Sequence, residues 1–151
     1  MWKSVGCVLI LLLAVSQIAS CGIRDKVICQ NLSLFYTLWK EAAFGMHPNR
    51  VERSAWIILN PAGSYESREW PHSEERSKDI WKGYIPFHAV AIVHTHPTIA
   101  DERPSHCDLL TAKKFGIVLY VISNKGIWSV DPIGKQTKQA DSQWYKPGSC
   151  D

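Results

Sequence analysis

A chain of 151 residues has room for one domain of ordinary size, and its composition, 46% hydrophobic and 21% charged, excludes a disordered or collagenous protein. Seventeen Lys and Arg side chains stand against fourteen Asp and Glu, a formal net charge of +3. That balance selects no strongly charged partner. No basic run with interleaved aromatics of the kind that grips nucleic acid is present, so nucleic acid is not an expected partner. The sequence specifies no oligomeric state.

At the start of the chain Lys3 precedes an apolar run, Val5 to Val15, which fades into Ser16-Gln17-Ile18-Ala19-Ser20-Cys21. A charged start, an apolar middle and small residues before a cut have the shape of a secretory signal. The run falls short of the ~20 apolar residues that span a bilayer, which argues against a permanent transmembrane helix. Removing residues 1–20 takes away Lys3 and no acid, leaving a net charge near +2. Ile18-Ala19-Ser20-Cys21 resembles the lipobox of bacterial lipoproteins, whose cysteine becomes the lipidated first residue of the mature protein. Gly22 at the next position resembles the pattern of those sent on to the outer membrane. The resemblance implies a signal peptide over 1–20, lipidation at Cys21, and an exported domain in the bacterial cell envelope, facing the periplasm. The domain would be anchored to the membrane without crossing it. A plain cleaved signal is the alternative.

Ile28, Leu32, Phe35, Trp39 and Ala42 recur at steps of four and three and predict one amphipathic helix from about Arg24 to Phe44, ended by Gly45 and Pro48. Asn31-Leu32-Ser33 matches a glycosylation sequon, for which a bacterial lipoprotein has no use. Four β-rich runs follow, Ser54 to Asn60, Ala89 to His94, Ile117 to Ser123 and Ile127 to Asp131. Asn124-Lys125-Gly126 joins the last two as a hairpin. The polar stretch Pro61 to Pro86 is expected to hold a strand near Tyr65 to Trp70 and then an exposed loop. Ser105 to Phe115, starting after Pro104, predicts a short helix. Residues 136–151 are expected to be a polar, loosely ordered tail. The order helix, strands, loop, strand, helix, hairpin gives a single α/β domain with a mixed β-sheet flanked by helices, over residues 21–135.

Cys7 leaves with the signal and Cys21 takes the lipid, so Cys29, Cys107 and Cys150 remain. An odd set allows one disulfide and one free thiol. Pairing Cys29 with Cys150 would tie the tail to the first helix and leave Cys107 with the helix it starts; three reduced thiols are the other possibility.

The segment from His94 to Asp108, HTHPTIADERPSHCD, carries the chemistry. Residues two apart in a strand project from one face, so His94 and His96 point the same way, and Pro97 stops the strand there. Asp108 falls twelve residues after His96, in the first turn of the predicted helix. Two neutral imidazoles and one carboxylate form a three-ligand set suited to Zn²⁺ with a fourth position open, which is the catalytic type of site. Ser105 is also placed as an N-cap, and an acid at Asp108 suits the helix dipole, so a plain capped helix explains the same residues. His88 has the parity of His94 and His96 and would share their face if the strand extends back. His106 and Cys107 are rotated away from the direction of Asp108. His47 and His72 read as loop residues.

His94-Thr95-His96, Pro97 and then Ser105-His106-Cys107-Asp108 resemble the motif of the JAMM zinc metalloproteases of the JAB/MPN superfamily. The order of elements is similar over roughly Ile28 to Asp131. Eight residues, Pro97 to Pro104, stand where the common form of the motif has seven. The resemblance implies a JAB/MPN-like, cytidine-deaminase-like fold and a zinc-dependent hydrolase of peptide or isopeptide bonds. It implies Zn²⁺ on His94, His96 and Asp108, Glu52 as general base and then acid, and Ser105 as donor to the developing oxyanion. Glu52 fits because it immediately precedes a strongly apolar strand; Glu66 and Glu69 are the alternatives. Family members often carry glycines just after this glutamate, where this chain has Arg53, Ser54 and Ala55. Peptide, protein or peptidoglycan amides are the expected substrates, by location. A JAB/MPN-like binding or scaffold lipoprotein without hydrolysis is the rival.

Overall fold

In the computed structural model, which describes residues 22–72 and 81–150, six β segments satisfy their backbone polar groups in one sheet. They are β1 (Ser54–Leu59), β2 (Tyr65–Glu69), β3 (Ala89–Thr95), β4 (Val118–Ser123), β5 (Gly126–Val130) and β6 (Gln136–Ala140), in the order β2-β1-β3-β4-β5-β6. All neighbours pair antiparallel except β3 and β4, which are parallel. A parallel pair needs a long crossover. Here that crossover carries helix α3 (His106–Phe115). The domain is therefore mixed α/β with a mixed sheet, as the order of elements predicts. The expected export signal and Cys21 lie outside the described residues. Among the described residues no helix is long and apolar enough to cross a membrane.

The predicted first helix is two, α1 (Lys26–Gln30) and α2 (Leu32–Glu41), followed by a 3-10 turn at Ala43–Gly45. Asn31 breaks it with φ −120° and ψ 19°, its side-chain amide donating to Val27 O at 2.8 Å. An Asn side chain that bonds local backbone competes with the helix in this way. The chain then turns at Gly45, with φ +72°, where a Cβ would stand 3.1 Å from His96 O and 2.7 Å from the Trp39 ring. Only glycine lets the backbone approach the end of β3 so closely.

Alternation along the strands builds two cores. Ala55, Ile57, Val93, Tyr120 and Ile122 pack with Ile28, Phe35, Leu38 and Trp39 from α1 and α2. On the other face Trp56, Ile92, Leu119, Val121 and Val130 pack with Ala112 of α3. Tyr120 reaches across the first core to donate its hydroxyl to Asp25 at 2.9 Å.

The C-terminal segment corrects the expectation of a loose tail. Residues 136–140 are the sixth strand, Trp144 is buried in the first core, and Cys150 forms the disulfide with Cys29, with Cα atoms 5.6 Å apart. Gln136-Thr137-Lys138-Gln139 offers no apolar alternation because an edge strand wetted on both faces requires none. Its pairing with β5 is a backbone property. Cys107 is the exposed free thiol.

Candidate metal centre

β3 ends at Thr95 with its neighbours holding it on both sides. Thr95 N–H donates to Arg53 O at 3.0 Å, Arg53 N–H donates to Thr95 Oγ1 at 3.0 Å, and His96 N–H donates to Ile122 O at 2.8 Å. Thr95 points into the protein, so His94 and His96 share the face that carries α3, their rings 5.0 Å apart. Both are 7% exposed.

Ser105 starts α3 as its N-cap, and the cap aims the carboxylate. Asp108 N–H donates to Ser105 Oγ at 3.3 Å, and Ser105 N–H donates to Asp108 Oδ2 at 2.6 Å, a reciprocal capping box. Asp108 is buried between the imidazoles, with Oδ1 3.4 Å from His94 Nε2 and Oδ2 3.5 Å from His96 Nε2. His96 Nδ1 lies 2.8 Å from Asp101 O. A carbonyl only accepts, so Nδ1 carries the proton and Nε2 turns its lone pair inward when the ring is neutral. One ligand atom from each of His94, His96 and Asp108 lies within 4.8 Å of the others, and this buried group can hold a metal ion.

The charges agree with the geometry. Burial pushes His94 down to about 4, against the attraction of Asp108, so its imidazole is neutral at pH 7. Burial also works downward on His96. The Asp108 hydrogen bond, the Asp101 carbonyl and the charges of Asp108 and Glu52 outweigh it and raise His96 above the ordinary value. Burial works to raise Asp108, but the histidines and the Ser105 hydrogen bonds hold it well below the usual carboxylate range. In the metal-free protein the Asp108 carboxylate thus favours the protonated form of His96, while His94 stays neutral at pH 7.

Glu52 lies two residues before β1 and is half-buried. Ser54 pairs with His94, and the Arg53–Thr95 hydrogen bonds carry that register outward, so Glu52 stands across from His96 on the same face. Its charge is felt at His96. The alternatives do not reach the group. Glu66 and Glu69 are exposed on the edge strand β2, where Glu66 accepts from Asn60 Nδ2 at 3.2 Å. His88 corrects the expectation of a shared face: it precedes β3 with φ +63°, exposed and stacked 4.1 Å from the Phe87 ring. The positive φ ends strand parity before reaching it. His106 and Cys107 are exposed beside the cap, and His47 accepts from Asn49 N–H in its loop.

The eight-residue segment between His96 and Ser105 is fastened at both sides. Thr98 N–H donates to Gly45 O at 2.9 Å, while Gln136 Nε2 reaches Pro104 O at 3.4 Å and Lys138 Nζ lies 3.5 Å from Glu102 Oε2. Gln136 and Lys138 were invisible to sequence reasoning, since both are polar residues in a polar run. A second group of similar chemistry lies elsewhere: His72 Nε2 is 3.4 Å from Glu41 Oε2 and 3.9 Å from Glu69 Oε2, with side chains 50, 35 and 42% exposed respectively. Comparison with protein-family models, curated proteins and solved structures finds no match to the chain.

Proposed function

We propose that the protein is a zinc-dependent hydrolase of the JAMM type, with a JAB/MPN-like fold, that cleaves peptide or isopeptide amide bonds. The observation that carries this reading is the delivery of Asp108 by a capping box between two inward-facing Nε2 atoms, with Glu52 across from the second histidine. Each imidazole Nε2 stands against the Asp108 carboxylate, His94 at 3.4 Å from Oδ1 and His96 at 3.5 Å from Oδ2, so one small ion could be shared among the three. Two imidazoles and a carboxylate suit zinc better than magnesium or calcium, which prefer all-oxygen sets.

Zinc, if held by His94, His96 and Asp108, would supply Lewis acidity toward a water and a carbonyl. Glu52 accepts the proton of the attacking water and returns it to the leaving amine. Ser105 is exposed at the lip of the group, and its hydroxyl donates to the oxygen on which charge develops. The Asp101 carbonyl holds the His96 ring in the tautomer that leaves Nε2 available. With the lipid that the sequence suggests at Cys21, such a hydrolase would act at the bacterial envelope on peptide, protein or peptidoglycan amides.

Metal analysis of the purified full chain tests the reading. About one zinc per chain is expected, with hydrolysis of an amide substrate library abolished by chelation and restored by zinc. A folded chain that takes up no zinc overturns it. Radiolabelled palmitate incorporated by the wild type and absent from Cys21→Ser tests the anchor.

A further inference from the structure

The strand directions put the metal group at one end of the sheet and a different surface at the other. The far end collects the start of β3, the end of β1, the end of β5 and the turns joining them. The three most exposed large hydrophobic side chains among the described residues all lie there: Tyr84 at 96%, Ile133 at 89% and Phe87 at 85%. Ile85, 48% exposed, sits between the two aromatics. They are tips of two separate turns, the segment before β3 and the β5–β6 connection, not walls of a groove.

The tips are held outward. Trp81 packs on Trp56 and Trp70 beneath the first turn, and its indole N–H donates to Tyr84 O at 3.1 Å. Ala89 N–H donates to Pro86 O at 3.1 Å. In the second turn Asp131 Oδ1 accepts from Ile133 N–H at 3.1 Å and from Lys135 N–H at 2.9 Å. Neither turn folds its apolar side chain back onto the sheet.

Exposed lysines stand on the same turns and at this end of the sheet: Lys82 in the first turn, Lys135 in the second, and Lys113 and Lys114 in the last turn of α3, which leads into β4. Of the described acids at this end, Asp131 is occupied by its own turn and Glu66 by Asn60. Protruding aromatic and aliphatic tips accompanied by exposed lysines at the same end of the sheet match a lipid surface, where apolar side chains enter the interface and cations meet anionic headgroups. A protein partner of comparable affinity calls for a flatter, better packed patch. We propose that this end of the sheet is a membrane-contacting surface that takes anionic lipid. It stands without any lipid on Cys21. Because β3 is roughly 20 Å long, such contact turns the metal group away from the bilayer.

Hydrogen exchange of the full chain on phosphatidylcholine vesicles with and without phosphatidylglycerol tests this, because it reads position whatever the N-terminal segment does. Slowed exchange is expected in residues 82–87 and 131–135 on the anionic vesicles, weakened by added salt, with residues 97–103 unchanged. The combined substitution Tyr84→Ser, Phe87→Ser and Ile133→Ser should return both segments to their lipid-free rates. These side chains are almost wholly solvent-exposed, so the thermal midpoint should stay in place. The proposal is overturned by equal protection at both ends of the sheet or equal protection on both vesicle types. Protection that survives the triple substitution, or that appears without vesicles and grows with protein concentration as a second copy would make it, overturns it too.

Discussion

Among the described residues two groups offer histidine and carboxylate to a cation, and they differ in everything but their chemistry. His94, His96 and Asp108 are buried, and each is held by a neighbour: β1 and β4 fix the strand end, Asp101 the ring of His96, Ser105 the carboxylate. Glu41, Glu69 and His72 come together at the surface, each reaching out through water from a separate element. Burial removes the hydration that satisfies charged groups for nothing, so a buried set persists only where protein atoms replace that water. An exposed set needs no such support and for the same reason has little hold on an ion. Ligand identity alone does not make a metal centre; prior orientation does.

Substitution is the strongest way to break the comparison. His94→Ala and Asp108→Ala should each lower bound zinc from about one per chain to near none, while Glu41→Ala and His72→Ala leave it unchanged. Inductively coupled plasma mass spectrometry on dialysed protein reads both. Equal losses from the two groups would erase the distinction between them. Next in size is Glu52→Gln, which should keep its zinc and lose about 10²–10⁴-fold in hydrolysis, the usual contribution of a general acid–base group. Steady-state kinetics beside metal analysis separates that from a lost ligand.

A pH series sharpens the comparison further. His96 is raised, so it is protonated below that value and the metal must displace its proton; affinity therefore falls as pH drops, by about tenfold per unit below the raised value. His94, lowered to about 4, adds no proton competition until the solution approaches that pH. Titration calorimetry in buffers of different ionisation enthalpy should show proton release that grows as the pH falls toward and below the raised His96 value. Release that does not change with pH over that range would mean that His96 is not the competing group.

The smallest effects concern support. Ser105→Ala removes the cap acceptor and should cost about 1 kcal/mol, a fall in thermal midpoint of about 3 °C for a domain of this size. Calorimetry checks it, and zinc affinity should weaken alongside as Asp108 loses its fixed direction. His72→Ala should change stability by less than about 0.5 kcal/mol.

The metal group was legible in the sequence because two backbone periodicities encode direction. Period two in β3 aims His94 and His96 together, and the first turn of α3 places Asp108 three residues after its cap. Glu52 entered through the resemblance, as the acid immediately before a strongly apolar strand, and the pairing of β1 with β3 sets it across from His96. What was not legible depended on a side-chain amide bonding local backbone, on positive φ or on strand pairing. The apolar stripe runs unbroken through Asn31, so nothing in it announces two helices. His88 has the right parity in the sequence and the wrong backbone in the protein. The sixth strand has no apolar signature at all, and with it the ties of Gln136 to Pro104 and of Lys138 to Glu102 stayed hidden.

Those ties bear on how the molecule is completed during biosynthesis. A chain emerging from the ribosome presents His94, His96 and Asp108 well before Gln136 and Lys138 exist to brace the segment between them. The disulfide is later still, because Cys150 follows both. The segment between His96 and Ser105 is thus fully braced only once β6 has been made. A truncation that removes β6 loosens that segment at Glu102 and Pro104.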